Sequence, residues 1–459
     1  MPALVRLDPA TGNGSAKGPR FASPFGFLAT MRRDPLGFLA DCHRTYGDTV
    51  EIRFFPWRTF FFVHPRDVRY VLQENHRNYW KGVVFAKLKR IGGQGLVFSD
   101  GDLWRRQRQL AQPAFHRDRI AAMAGMMVDA TAAMLDRWQP VAAAGGSFDV
   151  ASEMSRLTLE IVATALFGAS LGEDAEAFRE AVTGGLAYAN HIVNHFLTPP
   201  LFVPTRVNRR GRRAIASLDR IVWRIIAERR RDGRDRGDLL SMLIHARDAD
   251  THESMTDQQL RDETVTFLVA GHETTAVALS WAWHLLATHP DAERRVHAEV
   301  DAVLGGRAPT LADLPDLRYG RMVIEESMRL FPPVWATSRQ AYRDDVVGGQ
   351  TVRADTTVTV SPYVTHRHPA FWEDPDRFDP ERFTPERSAA RPEYAYFPFG
   401  GGPRRCIGNQ FAMMEAQLIL ATTAQAFRLR SVPGSVVEPH PILTLRPRHG
   451  VPMMAQPRR

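Results

Sequence analysis

The sequence predicts a mainly α protein with small β-sheets, an α+β chain built as one large domain. Three observations lead there. Stretches with helix-like patterning cover most of the chain, among them residues 118–138, 152–166, 257–288 and 291–304. Extended character is confined to short runs: TVEIRFFPWRTFFFVHP (49–65) holds two β-rich runs around Pro56, and TVTVSPYVTH (357–366) reads as another strand. No Gly/Ser linker, low-complexity tract or internal repeat divides the 459 residues, 44% of which are hydrophobic, so one large domain is expected in place of the about three that length alone suggests.

The elements follow in chain order. Residues 1–20, MPALVRLDPATGNGSAKGPR, are polar and lack the apolar core of a signal peptide, so they are read as a disordered leader before a domain spanning 21–459. The arginine-dense run at 206–238 carries Ile215, Leu218, Val222 and Ile225 at three- and four-residue spacing, which makes an amphipathic helix with arginines on its outer side. Residues 369–392 are rich in Pro, Asp and aromatics, an irregular packed meander, and 435–453 can close a small hairpin. No stretch approaches the ~20 apolar residues of a membrane span. A cytoplasmic protein without a membrane anchor, and a monomer, is expected.

Lys and Arg exceed Asp and Glu by 59 to 51, a net charge of +8. A basic chain suits nucleic acid or an acidic redox protein. No zinc finger, RNA-binding signature or aromatic interleaving supports nucleic acid, so no nucleic-acid partner is expected. With two cysteines, Cys42 and Cys406, neither a disulfide framework nor a zinc site with CxxC spacing is present. Cys42 reads as core packing; Cys406 needs another account.

Cys406 stands in FPFGGGPRRCIGNQFA, where Phe399, Gly402, Arg404, Cys406 and Gly408 fit F-x-x-G-x-R-x-C-x-G. Glycines let a loop come close to a flat ligand and take backbone angles closed to other residues. A helix starting after the cysteine aims free N–H groups and a positive dipole end near the sulfur, which favours a thiolate. Such a thiolate can bind iron, and Arg404 can meet an anionic group. The residues alone also allow a glycine-rich turn around a structural thiol. At full length the pattern resembles the haem-binding loop of the cytochromes P450, a family with Cys-thiolate ligation. The resemblance implies that Cys406 is the axial ligand of haem b, with Phe399 and Gly408 beside the cofactor, within the cytochrome P450 fold.

Three further motifs agree. In FLVAGHETTAVALSWAW, glycine inside a helix costs about 1 kcal/mol relative to alanine, so Gly271 marks a close approach or a local opening. Thr274 can bond back to the Ala270 carbonyl or donate to a ligand. Ala270-Gly271-His272-Glu273-Thr274-Thr275 is similar to the family's oxygen-activation motif, which implies that Ala270 and Gly271 face the cofactor, that Thr274 and Glu273 relay protons, and that His272 is a spacer. Glu326 and Arg329, in VIEESMRLFPP, with Arg382, in FDPERF, resemble the family's E-x-x-R and P-E-R-F elements, an architectural triad. Trp104 and Arg108 lie one helical turn apart and resemble its W-x-x-x-R helix. By the same resemblance Trp104, Arg108, Arg339 and Arg404 bind the haem propionates. His366 and His368 read as local hydrogen-bonding residues.

The resemblance covers residues from about 21 to 452 and implies a monooxygenase that inserts one atom of O2 into a hydrophobic small molecule by hydroxylation or epoxidation. A fatty acid, terpenoid, steroid or macrolide fits equally. Family placement puts Phe85, Phe196, Phe267, Val334, Ile442 and Leu443 on the substrate pocket. No flavin or ferredoxin module follows the haem domain, so a ferredoxin or flavodoxin with its NAD(P)H-dependent reductase is expected, with Arg405 a candidate docking residue. The alternatives are a haem-thiolate peroxygenase, isomerase or lyase, and a non-catalytic gas sensor or electron carrier.

Overall fold

The structure is a computed structural model that describes residues 16–168, 174–195, 198–248 and 252–458. It is mainly helical with small sheets, as the sequence predicts. The chain divides into two compact units, Met1–Lys87 with Met328–Asp379 and Thr384–Cys406, and Leu88–Ser327 with Pro380–Phe383 and Ile407–Arg459.

The first unit is organised by a six-stranded mixed sheet in the order Arg20–Phe21, Thr49–Phe54, Trp57–Phe62, Thr357–Val360, Thr337–Ala341, Tyr79–Lys81. The two runs around Pro56 pair antiparallel, Thr49 opposite Phe62 and Phe54 opposite Trp57. Because side chains alternate along a strand, Phe60 and Phe62 enter one cluster with Val358, Val360, Tyr79, Tyr394 and Phe397. Phe61 and Val63 enter another, with Val50, Ile52, Leu39 and Cys42. The run is uninterrupted in aromatics because both faces of the sheet are buried. Cys42 is a core residue: burial, reinforced by Asp41, pushes its thiol up to about 12.

Some boundaries differ from the sequence reading. Residues 16–20, assigned there to a disordered leader, are ordered: the Ala16 N–H donates to Gln350 Oε1 at 2.6 Å, Lys17 bridges Val50, and Arg20 pairs with Arg53. The strand from Thr357 ends at Val360, since Pro362 opens a short helix, Pro362–Thr365, whose Val364 N–H is capped by Ser361 Oγ at 3.3 Å. The helix expected over 118–138 is two, Arg117–Ala121 and Ala124–Ala143. Ala122 and Met123 between them keep near-helical angles (φ −63°, ψ −17° and φ −90°, ψ −5°), so the apolar pattern runs through the turn without a break.

The second unit is built around the 32-residue helix Asp257–Thr288, started by a capping box between Thr256 and Gln259. Beside it lie Val150–Phe167, Arg206–Asp232 and Asn409–Ala426. The arginine-rich helix buries Leu218, Val222 and Ile225 and ends at Gly233 in the left-handed conformation (φ 65°). Phe427–Ser431, Pro452–Pro457 and Phe148–Asp149 form a three-stranded sheet. The expected hairpin is Pro439–Pro441 against Leu445–Pro447.

Candidate active site

In the first unit, the cysteine loop leaves the buried pair Tyr394 and Phe397. Its backbone closes on itself: the Gly400 N–H donates to Phe397 O at 2.9 Å, Arg405 N–H to Gly402 O at 3.0 Å, and Cys406 N–H to Phe399 O at 2.9 Å. The glycines are steric necessities. A Cβ on Gly401 would sit 2.1 Å from the Tyr394 ring, and one on Gly402 (φ +61°) 2.2 Å from the Leu72 carbonyl oxygen. Tyr394, absent from the sequence reading, is the clamp: its hydroxyl accepts the Gly402 N–H at 2.9 Å and donates to Gln73 Oε1 at 2.6 Å. The loop delivers Cys406 as an exposed side chain in no disulfide, three residues before the helix that begins at Asn409.

Arg329, Arg339, Arg404 and Val334 also belong to the first unit. Arg329 is wholly buried and donates to the carbonyls of His366 (3.0 Å), Pro375 (2.5 Å) and Arg377 (3.1 Å), with its guanidinium 5.0 Å from the Trp372 ring centre. His366 accepts the Phe397 N–H on Nε2 at 2.9 Å, and burial, then Arg329, holds its imidazole well below the usual range. His368 Nε2 meets Asp48 Oδ1 at 2.9 Å. Arg339 is buried, with Nη1 on Thr337 Oγ1 and the Ser338 carbonyl, both at 2.9 Å. Val334 is 38% exposed, and the Phe85 ring packs under Lys81 Nζ at 4.2 Å.

The second unit holds the other candidates. From Leu260 to Leu286 nearly every residue of the long helix is buried; four that are not, Val269, Ala270, Gly271 and Thr274, share one stretch of little more than a turn. Between Leu260 and Leu286 Ala270 is the exposed residue, an apolar opening in the helix. Two consecutive carbonyls in this stretch accept hydroxyl hydrogens, Ala270 from Thr274 at 2.7 Å and Gly271 from Thr275 at 3.2 Å, and Thr158 Oγ1 lies within hydrogen-bond reach of both the Met154 carbonyl (2.9 Å) and the His272 carbonyl (3.0 Å). Such bonds compete with the helix's own N–H donors. What comes close to Gly271 is Val162, whose Cγ2 would lie 3.0 Å from an added Cβ. His272 points away, with Nε2 on Ser155 Oγ at 2.9 Å, and burial lowers its imidazole to about 4. Glu273 is buried and accepts from Thr444 at 2.7 Å.

Trp104 and Arg108 lie on the helix Gly101–Ala111, both half-buried. Glu326, fully buried, pairs with Arg382 at 3.5 Å. Among the pocket candidates, Leu443 packs on a cluster of Leu88, Ile91, Tyr188, Ala189 and Ile192, so three segments distant in sequence meet there. Phe267 meets Phe115 edge-on at 5.2 Å. Ile442 is buried, and Phe196 lies outside the described residues. The sequence reading also missed a latch: the Asp262 carboxylate accepts the Gln94 N–H at 2.8 Å and Glu263 the Leu96 N–H at 3.0 Å. The G-G-x-G spacing of IGGQGL was its only signal; a Cβ on Gly93 or Gly95 would strike Asp262 or Thr266.

Comparison with known proteins decides what this arrangement is. The family model for cytochrome P450 matches residues 17–453. The chain belongs to the cytochrome P450 family. It is 42% identical to a cyclooctat-9-en-7-ol 5-monooxygenase of Streptomyces melanosporofaciens over 90% of this chain and 89% of that protein. It is 36% identical to a pentalenene oxygenase of Streptomyces avermitilis over 92% of each. The crystal structure of the cytochrome P450DA haem domain superposes with a TM-score of 0.84 at 28% identity, covering 93% of this chain and 94% of that one.

This P450 is a monooxygenase whose cofactor is haem, and it acts on a hydrophobic substrate with electrons from redox partners. Its residues fit that cofactor. The loop too tight for side chains at Gly401 and Gly402 presents one exposed thiol, and the central helix presents an alanine at its opening. Among the described residues no helix is long and apolar enough to cross a membrane.

Proposed function

We propose that this P450 hydroxylates or epoxidises a cyclic terpenoid, using haem b ligated by Cys406 and electrons from a ferredoxin or flavodoxin reduced by an NAD(P)H-dependent reductase. The exposed Ala270, with half-buried Val269, Gly271 and Thr274 around it on a helix that is buried at nearly every other position from Leu260 to Leu286, carries the reading. The relatives named for oxygenation of cyclooctat-9-en-7-ol and pentalenene support a terpenoid over a fatty acid or macrolide.

When bound, haem activates dioxygen so that one atom enters the substrate and the other leaves as water. The chain's residues supply the rest. Cys406 donates its sulfur as thiolate, and the closed loop holds its backbone so that the thiolate does not rely on a flexible chain. Trp104 through its indole N–H and Arg108, Arg339 and Arg404 through guanidinium groups take the propionates; Arg339 is already oriented by Thr337. Thr274 Oγ1, now donating to Ala270 O, has lone pairs free to accept and can turn its hydrogen toward a ligand. Glu273 supplies the acid beside it. Ala270 would limit the bulk a substrate can have beside the cofactor, and Phe267, Ile442 and Leu443 would supply apolar wall that excludes water. Arg405, exposed on the cysteine loop, meets the acidic donor, and that step slows as salt rises.

The test is the carbon monoxide difference spectrum of the reduced protein, followed by product analysis with cyclooctat-9-en-7-ol and pentalenene. A strongly red-shifted Soret band that Cys406→Ser abolishes, with an oxygenated product, is the expected result. A band at the position of histidine-ligated haem removes Cys406 as ligand, and thiolate haem without terpenoid product removes the substrate class.

A further inference from the structure

The two carboxylate oxygens of Glu273 have different surroundings. Oε1 accepts a hydrogen bond from Thr444 Oγ1 at 2.7 Å, whereas Oε2 is buried and meets no hydrogen-bond donor among the described residues. Both side chains are deep in the second unit, Glu273 at 7% and Thr444 at 4% exposure. A hydroxyl donating to a carboxylate in such surroundings is a strong bond that fixes which way the carboxylate faces.

Thr444 lies between the strands Pro439–Pro441 and Leu445–Pro447, in a turn pinned from several sides. The Leu443 N–H donates to Asn190 Oδ1 at 3.1 Å, the Ile442 N–H to Thr444 O at 3.1 Å, and the Leu445 carbonyl accepts Trp281 Nε1–H at 2.7 Å. Trp281 stands on the same long helix as Glu273, a little over two turns on. The hairpin is thus fastened to that helix at two places. One fastening is structural, indole to carbonyl. The other ends on the acid next to Thr274. The same turn carries Leu443, packed on the cluster of Ile91 and Tyr188.

We propose that Thr444 is a positioning residue for proton delivery: it engages Oε1 of Glu273 and leaves Oε2 as the oxygen that gives up a proton and takes one back from water, which ties the turn bearing Ile442 and Leu443 to the relay. The inference rests on the reading of Glu273 as the relay acid. Leu443 and Thr444 are consecutive, so a substrate pressing on the Leu443 side chain acts on the residue that orients the acid.

The experiment compares wild type, Thr444→Val, Thr444→Ser, Glu273→Gln and the Thr444→Val/Glu273→Gln double variant as holoenzymes. NADH oxidation is driven by a surrogate ferredoxin and its reductase. The readouts are hydrogen peroxide released per NADH, the H2O/D2O rate ratio for oxygen uptake, and the carbon monoxide spectrum. Amide exchange of residues 442–445 is measured in parallel, with and without haem. Valine keeps the shape of threonine but cannot donate. The expected result is that Thr444→Val raises peroxide release at least threefold and changes the solvent isotope ratio, with the spectrum unchanged and amide exchange of the turn faster in both forms. Serine restores wild-type values, and the double variant is no worse than Glu273→Gln alone. Peroxide release within 1.5-fold of wild type in Thr444→Val, while Glu273→Gln is impaired, overturns the role of Thr444 and leaves the relay acid standing. A defect that serine does not rescue assigns Thr444 to packing and also overturns it. An unimpaired Glu273→Gln overturns the relay reading itself.

Discussion

Replacing Glu263 by glutamine should make this protein more stable in alkaline solution and no different in acid. The carboxyl is fully buried on the long helix, with Oε2 on the Leu96 N–H and Oε1 without a donor among the described residues. Burial, opposed by the Leu96 N–H and reinforced by the neighbouring Asp262, raises it from 4.5 to about 8. Below pH 4.5 the group is protonated in folded and unfolded chains alike and contributes no pH dependence. Between 4.5 and about 8 the folded protein keeps a proton that the unfolded chain releases, so stability falls as pH rises; above about 8 the penalty is constant. Each pH unit is worth about 1.4 kcal/mol, which places the ceiling near 5 kcal/mol, and partial relaxation around a buried ion brings the expected gain to about 2–4 kcal/mol. Glutamine keeps the acceptor for Leu96 and carries no charge. Urea unfolding at pH 4, 7 and 9, followed by far-ultraviolet circular dichroism, reads the difference: the variant's midpoint should coincide with wild type at pH 4 and lie well above it at pH 9. Parallel curves across that range would show that Glu263 ionises normally in the folded protein and refute the reasoning.

Gly402→Ala should cost about 2–4 kcal/mol, because its Cβ would lie 2.2 Å from the Leu72 carbonyl oxygen at a φ of +61°; haem content per chain and the thermal midpoint should fall together. Arg329→Lys should cost about 3 kcal/mol, since one ammonium cannot follow a planar fork onto the carbonyls of His366, Pro375 and Arg377, and thermal unfolding measures it. Ala270→Phe fills the exposed position in the long helix; terpenoid turnover should drop at least tenfold while the carbon monoxide spectrum stays at the thiolate position.

The periodic helices and the glycine–arginine–cysteine loop were legible because their causes are local. Helix Asp257–Thr288 begins and ends where the sequence places it, since a capping box at Thr256 and Gln259 sets its start. The glycines at 401 and 402 were legible as constraints, but the partners that impose them, Tyr394 and Leu72, were not, being brought there by chain folding and not by neighbouring residues. The break at Ala122–Met123 left no mark because a turn with near-helical angles preserves the apolar rhythm.

Sequence alone therefore determined the helical class, the family resemblance and the residues able to do chemistry, because those depend on residue type and spacing along the chain. Only the tertiary structure decided which of them are exposed, which partners they hold and why the glycines are there. Gly271 yields to Val162, Arg329 serves three carbonyls, and Glu273 answers to Thr444, 171 residues away. A hydrogen bond between groups so far apart in the chain is fixed by packing, and no local pattern encodes it.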